Sequence, residues 1–191
     1  AHRGGCLETG SFIENTMPAF RNSARLGVDL LELDVQLTRD MQVVVFHDTS
    51  LGRLAGPAFA RLSCRDLDYS QLPHLEMSSQ RMAAPCWLGQ SQGIPLLEEV
   101  FRAFPHIPIQ VDVKVDTPGL VEAVHGLVMR FNRRRSVLWG SFRHKVQVQL
   151  YETDPHIPLF TSIWRAAFLK AAHAAGTLNQ VHIYESALIL P

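Results

Sequence analysis

The segment LLELDVQL, Leu30 to Leu37, sets Glu32 and Asp34 in alternation with Leu31, Leu33 and Val35. Successive side chains of a strand point to opposite faces, so a strand here carries both carboxylates on one side and aliphatic groups on the other. An unpaired carboxylate in an apolar interior costs several kcal/mol, so a pair aimed inward calls for a cation between them. Oxygen ligands suit a hard ion such as Mg²⁺ or Ca²⁺. The plainer alternative is a strand whose acidic side is simply wet.

Apolar periodicity extends this beginning into an α/β pattern. Strands are expected over Asp29–Leu37, Val43–His47, Ile107–Val115 and Ser136–Gly140, with another around Leu159–Ser162. Helices are expected from the Asn15 and Thr16 cap, with Pro18 in the first turn, to Gly27, over Leu120–Asn132 and over about Arg143–Tyr151. Val181–Tyr184 and Ala187–Leu190 can supply one further strand. Strands separated by helices imply a parallel sheet, wound open or closed into a barrel. Residues 52–91, rich in Ser, Pro and Gln, read as an irregular insertion with short helices inside one domain. Thr38 to Met41 look like a hairpin turn and leave little room for the helix that a parallel connection needs. The apolar stretch Ile163 to Leu169, with Trp164 and Phe168, reads as helical core, with a lipid-facing surface as the alternative.

At 191 residues and 47% hydrophobic content the chain can bury one sizeable core. Its 18 basic and 18 acidic residues cancel, which argues against nucleic acid as a partner. Cys6, Cys64 and Cys86 have neither disulfide-framework nor zinc spacing and read as free thiols. Further chemistry gathers near expected strand ends. His47 and Asp48 follow the apolar VVVF, and HRGG places His2 and the forked guanidinium of Arg3 beside flexible backbone. Asp112 and Lys114 in IQVDVKV repeat the alternation on a later strand. Singly, these are ordinary structural histidines or a surface salt-bridge rung. Together they form the inventory for metal-assisted attack on a phosphodiester.

The ordered set HRG, ENT, ELDVQLTRD, VVVFHD, IPLLEEV and VDVK resembles the glycerophosphodiester phosphodiesterases, a family of (β/α)₈ TIM barrels, from Ala1 to about Trp139. Beyond Ser141 the resemblance fades. It implies that His2 and His47 form the acid and base pair and that Arg3 grips the phosphate. Glu32, Asp34 and Asp112 would hold the divalent metal, Mg²⁺ or Ca²⁺, and Lys114 would add positive charge. Glu14, Asn15 and Asp48 would position these groups. Asp112 stands where many members carry Glu. That Asp, NSARLGVDLLELDVQLTRD and the LWG of Leu138 to Gly140 are most similar to the animal lysophospholipase D branch, so the implied substrate is a glycerophosphodiester or a lysophospholipid.

The barrel is expected to be incomplete, lacking part of strand one and the last strands, since a full barrel takes about 250 residues. For the barrel, the resemblance implies an extended parallel crossover at Thr38–Met41 in place of the hairpin. The competing functional readings are a truncated, non-catalytic binding or interaction protein and a sphingomyelinase-D-like phosphodiesterase. No stretch approaches a membrane span in length. The chain as given reads as soluble, and the full-length protein as membrane-associated or cytoplasmic, with membrane association through segments outside this chain. The oligomeric state is left open.

Overall fold

The computed structural model describes residues 1–5, 12–76 and 92–189. Strands β1 (Leu31–Leu37), β2 (Val43–Val45), β3 (Ile109–Val113) and β4 (Val137–Gly140) form a four-stranded sheet in the order β2-β1-β3-β4. Helix α1 (Met17–Arg25) precedes β1, the single turn α2 (Gly52–Ala55) follows β2, and α3 (Leu97–Ala103) leads into β3. Helix α4 (Leu120–Arg130) crosses from β3 to β4, and α5 (His144–Thr153) and α6 (Ile163–Ala174) follow. β1, β3 and β4 are parallel. Parallel bridges from Trp139 to Leu159 and from Phe160 to Ala187 carry the same succession further, and the sheet stays open. Ala187 thus continues the sheet, whereas residues 181–184 form no strand. No helix among the described residues is long and apolar enough to cross a membrane.

Alternation decides which face does what. Leu31, Leu33, Val35, Ile109, Val111 and Val113 pack against Phe20 of α1, Phe101 of α3 and Val124 of α4. Glu32, Asp34, Gln36, Gln110 and Asp112 occupy the opposite face and are buried too. The strand register sets Asp34 beside Asp112 and Glu32 beside Gln110.

The hairpin reading of Thr38 to Met41 is correct, and the parallel crossover implied by the resemblance is overturned. β2 runs antiparallel to β1, pairing Val35 with Val45 and Leu37 with Val43. The Thr38 amide donates to the Gln42 carbonyl at 3.0 Å, the Gln42 amide donates to Thr38 Oγ1 at 2.8 Å, and Met41 takes φ 64°. A parallel connection needs a dozen or more residues, and this turn is far shorter.

The irregular segment supplies short turns that cover β2. After α2 come 3₁₀ turns at Pro57–Phe59, Cys64–Asp66 and Tyr69–Gln71. Val44, Phe46, Leu51, Cys64, Leu75 and Ile94 form a second apolar cluster beneath them. Burial pushes the Cys64 thiol up to about 12, so it stays protonated and unreactive. Cys6, Cys86 and residues 77–91 lie outside the described residues.

The stretch from Ile163 to Leu169 is helical, as expected, but part of it is not core. Ile163, Trp164 and Phe168 are 55%, 58% and 38% exposed, and the Trp164 and Phe168 rings stack with centroids 5.6 Å apart. Apolar composition identified the helix; exposure depends on what packs over it.

At Gly140, a Cβ would lie 2.5 Å from the ring of Phe160, itself fully buried. Gly140→Ala should therefore force that ring to shift and lower stability by about 1–3 kcal/mol, read as a fall in the urea midpoint.

Candidate active site

The carboxylate face of β1 is the floor of the site. Asp34, 1% exposed, meets Lys114 Nζ at 2.9 Å and Arg3 Nε at 3.5 Å, and accepts a hydrogen bond from Asn15 Nδ2 at 2.8 Å. Lys114 also donates to Asp112 at 2.6 Å. The Arg3 amide donates to Glu32 at 2.7 Å, and His2 Nε2 lies 3.8 Å from the same carboxylate. Arg3 Nη1 reaches Glu14 at 3.2 Å.

The HRGG turn is shaped for this position. Arg3 has φ 48° and Gly4 has φ 80°, and a Cβ on Gly4 would lie 2.8 Å from that of Ala19 in α1. Only glycine allows this close approach at that φ. Asn15 also takes a positive φ, 57°, and its amide donates to the Arg3 carbonyl at 3.0 Å. Left-handed backbone at non-glycine residues is strained and is held here by the surrounding bonds.

The β1–β2 hairpin brings in the second histidine. The Phe46 amide donates to the Asp34 carbonyl at 2.9 Å, and Gln36 Nε2 donates to the carbonyls of Phe46 and Asp48. His47 Nδ1 is 2.7 Å from Asp48 Oδ1. Arg53, on α2, hydrogen-bonds both Asp48 and Glu14. Through Arg53 the predicted site residues Arg3, Glu14, Asn15, Glu32, Asp34, His47, Asp48, Asp112 and Lys114 join one bonded network, and the neutral His2 ring lies beside it, 3.8 Å from Glu32. The network reaches a cavity of about 540 Å³ lined by His47, Asp48, Arg53, Asp112, Lys114, Phe142 and Arg143.

Sequence reasoning missed Gln36 and Arg53. Gln36 continues the alternation of Glu32 and Asp34 and is readable from that spacing. Arg53 sits in an irregular stretch with no periodic signal.

The electrostatics show an excess of buried negative charge. Burial, and then the neighbouring Asp34, push Glu32 up to about 8. Burial likewise raises Asp112, against the pull of Lys114. Burial alone would lower Lys114, but Asp34 and Asp112 raise it above the usual lysine range. Partial burial, then Arg3, lowers His2, which keeps it neutral at pH 7. Burial would raise Asp48, yet hydrogen bonds from Arg53 and His47 hold it below the usual carboxylate range.

Asp112 Oδ1 is buried and has no hydrogen-bond partner among the described residues. Together with the raised Glu32, that orphaned oxygen is what a divalent cation would satisfy, so by donor chemistry Glu32, Asp34 and Asp112 suit one, although their ligand atoms do not converge within 4.8 Å. Among the described residues, the group whose ligand atoms already converge within 4.8 Å is a different one, Glu14, His47 and Asp48. Its two carboxylates are already hydrogen-bonded by Arg53, and Glu14 by Arg3 as well.

The chain matches the model of the Glycerophosphoryl diester phosphodiesterase family over residues 2–187, well past the point where its motifs fade. It is 38% identical to human "Lysophospholipase D GDPD1", with 100% of this chain aligned to 60% of that protein. Among solved structures, a glycerophosphoryl diester phosphodiesterase domain from Mycobacterium tuberculosis superposes with TM-score 0.76 at 21% identity, covering 93% of this chain and 64% of that one. An Oleispira antarctica phosphodiesterase in complex with the product sn-glycerol-3-phosphate gives TM-score 0.68 at 19% identity, covering 100% and 83%. The fold is thus that of these TIM-barrel proteins, seen here as an open arc, and the chain spans about 60% of the human relative's length. With the family model covering nearly the whole chain, this protein belongs to the glycerophosphoryl diester phosphodiesterase family.

Proposed function

We propose that this chain carries the active site of a phosphoric diester hydrolase that cleaves glycerophosphodiesters or lysophospholipids, in the manner of a lysophospholipase D. The observation that carries the reading is the bonded network of carboxylates and cations that reaches the cavity at His47, Asp48, Asp112 and Lys114, with His2 3.8 Å from its Glu32. Similarity to a protein named lysophospholipase D supports it, as does a structural neighbour that holds a glycerol phosphate product.

Glu32, Asp34 and Asp112 would hold a divalent ion, Mg²⁺ or Ca²⁺, which as a Lewis acid offsets charge on the phosphate oxygens when bound. Lys114 lines the cavity and places a second positive charge beside the phosphate. Arg3, whose guanidinium lies between Glu14 and Asp34, would grip the same group. Asp48 accepts the Nδ1 proton of His47, which turns the opposite ring nitrogen into the acid or base. His2, neutral at pH 7, stands across the carboxylates as its partner. One imidazole takes the proton of the attacking hydroxyl and the other delivers one to the leaving alcohol, so the P–O bond to that alcohol breaks as the new one forms.

Release of choline or ethanolamine from glycerophospho- and lysophospholipid substrates should occur with Mg²⁺ or Ca²⁺ and stop with chelator. His47→Ala should lower kcat by about 10²- to 10⁴-fold. A folded chain with no turnover on any of these substrates would sink the catalytic reading and favour a binding role. Turnover confined to sphingomyelin would move the substrate assignment.

Thermal melts should rise with the ion, by about 2.7 kcal/mol of stabilisation at a hundred times its Kd. Without the ion, Glu32 makes stability fall with pH. Its carboxyl titrates at about 4.5 when unfolded and at about 8 when folded, so its favourable protonated form is fully present below about 4.5 and is lost as pH rises through 8. Glu32→Gln should therefore raise the metal-free Tm at pH 8.5 and leave it nearly unchanged at pH 4.5. An equal effect at both values would contradict this account of Glu32.

A further inference from the structure

We propose that Arg53 is a positioning residue of this site, a guanidinium bridge that holds the Asp48–His47 pair in register with Glu14 and, through it, with Arg3. The inference rests on the hydrolase reading for its kinetic test and on geometry for everything else.

Two arms of the site come from separate parts of the chain. One arm is His2, Arg3, Glu14 and the β1 carboxylates with Lys114, tied together directly. The other is His47 with Asp48, carried on the end of β2. Among the described residues, the side-chain bonds that join the two arms run through Arg53. Its Nε and Nη2 donate to the Asp48 oxygens, and Nη1 and Nη2 donate to those of Glu14. Gln36 also touches the second arm, but through the backbone carbonyls of Phe46 and Asp48, which leaves the Asp48 carboxylate free to rotate.

The donor inventory separates bridging from phosphate binding. A guanidinium has five N–H groups in a rigid fork, and four hydrogen bonds already run to the two carboxylates. Arg53 lines the cavity, yet its donors are directed at Asp48 and Glu14. Lysine cannot reproduce this, because an ammonium is a point charge without a fork. The backbone is built to place it: Arg53 lies in α2, with the Ala55 and Gly56 amides bonded back to the Leu51 and Gly52 carbonyls. A Cβ on Gly52 would lie 2.5 Å from the backbone of Ala60, so this turn is pressed against the next one.

The test uses Arg53→Met and Arg53→Lys in the full chain, with two readouts. In the choline-release assay at saturating metal, Arg53→Met should lower kcat by about 10- to 100-fold with KM changed less than about twofold, and Arg53→Lys should recover only part of the loss. A rise in KM at unchanged kcat would show that Arg53 grips the substrate, and unchanged kinetics in either variant would show that the bridge is dispensable; each overturns the proposal. Independently of activity, ¹⁵N NMR of the His47 ring should show the Nδ1–H form dominating in the parent chain and mixed tautomers in Arg53→Met. An unaltered His47 ring in a folded variant overturns the proposal even if no substrate is turned over. Loss of all activity in the parent chain with the expected ring change would count against the hydrolase reading alone. Should Arg53→Met fail to fold, Arg53→Lys supplies both readouts with the charge retained.

Discussion

The buried Asp34 carboxylate is the interaction on which the site's architecture turns. At 1% exposure it could not keep its charge without partners, and it draws them from three places. Lys114 comes from just beyond β3, Asn15 from the approach to α1, and Arg3 from the HRGG turn. Each partner then makes a second contact: Lys114 with Asp112, Arg3 with Glu14 and Glu32, and Asn15 with the Arg3 carbonyl. Neutralising one charge therefore ties segments distant in sequence to one point on the sheet. A stable core could form without any of these polar groups, since the aliphatic face of the same strands is packed separately by α1, α3 and α4.

The compensation is incomplete. Glu32 and Asp112 remain on the high side of carboxylate behaviour, and one Asp112 oxygen is buried without a hydrogen-bond partner among the described residues. Full satisfaction would leave no affinity for an ion and no field for a phosphate. The opposite holds around His47, where Asp48 and Glu14 are saturated by Arg53 and the ring is fixed. A cluster with an unpartnered oxygen thus lies beside a fully hydrogen-bonded one, and the hairpin joins them by hydrogen-bonding the Phe46 amide to the Asp34 carbonyl.

Legibility followed the range of the interactions. The alternation of Glu32 and Asp34, the four strands and the helices from the Thr16 and Pro18 start, over 120–132 and over 143–151 are local patterns, and those elements appear within about two residues of the expected ends, whereas the strand expected at Leu159–Ser162 is reduced to isolated bridges and the one at Val181–Tyr184 does not form. The turn at Thr38 to Met41 was readable for the same reason, since its bonds lie within itself. Its conflict with a parallel barrel arose because the family resemblance supplied motifs and not strand directions. The burial of Trp164 and Phe168 could not be read, because burial belongs to whatever packs over a helix.

Arg53 marks the boundary most clearly. Nothing in GRLAG distinguishes its arginine from a solvated surface residue, and its partners lie five residues away at Asp48 and thirty-nine away at Glu14. The sequence by itself determined the α/β pattern, the carboxylate face and the family, because side-chain alternation and ordered motifs are written in neighbouring residues. Only the tertiary structure decided that β2 folds back antiparallel, that Lys114 stands between Asp34 and Asp112, and that one arginine joins the two halves of the site. Those outcomes depend on distances between segments, which are set when buried charges find their partners in the packed chain.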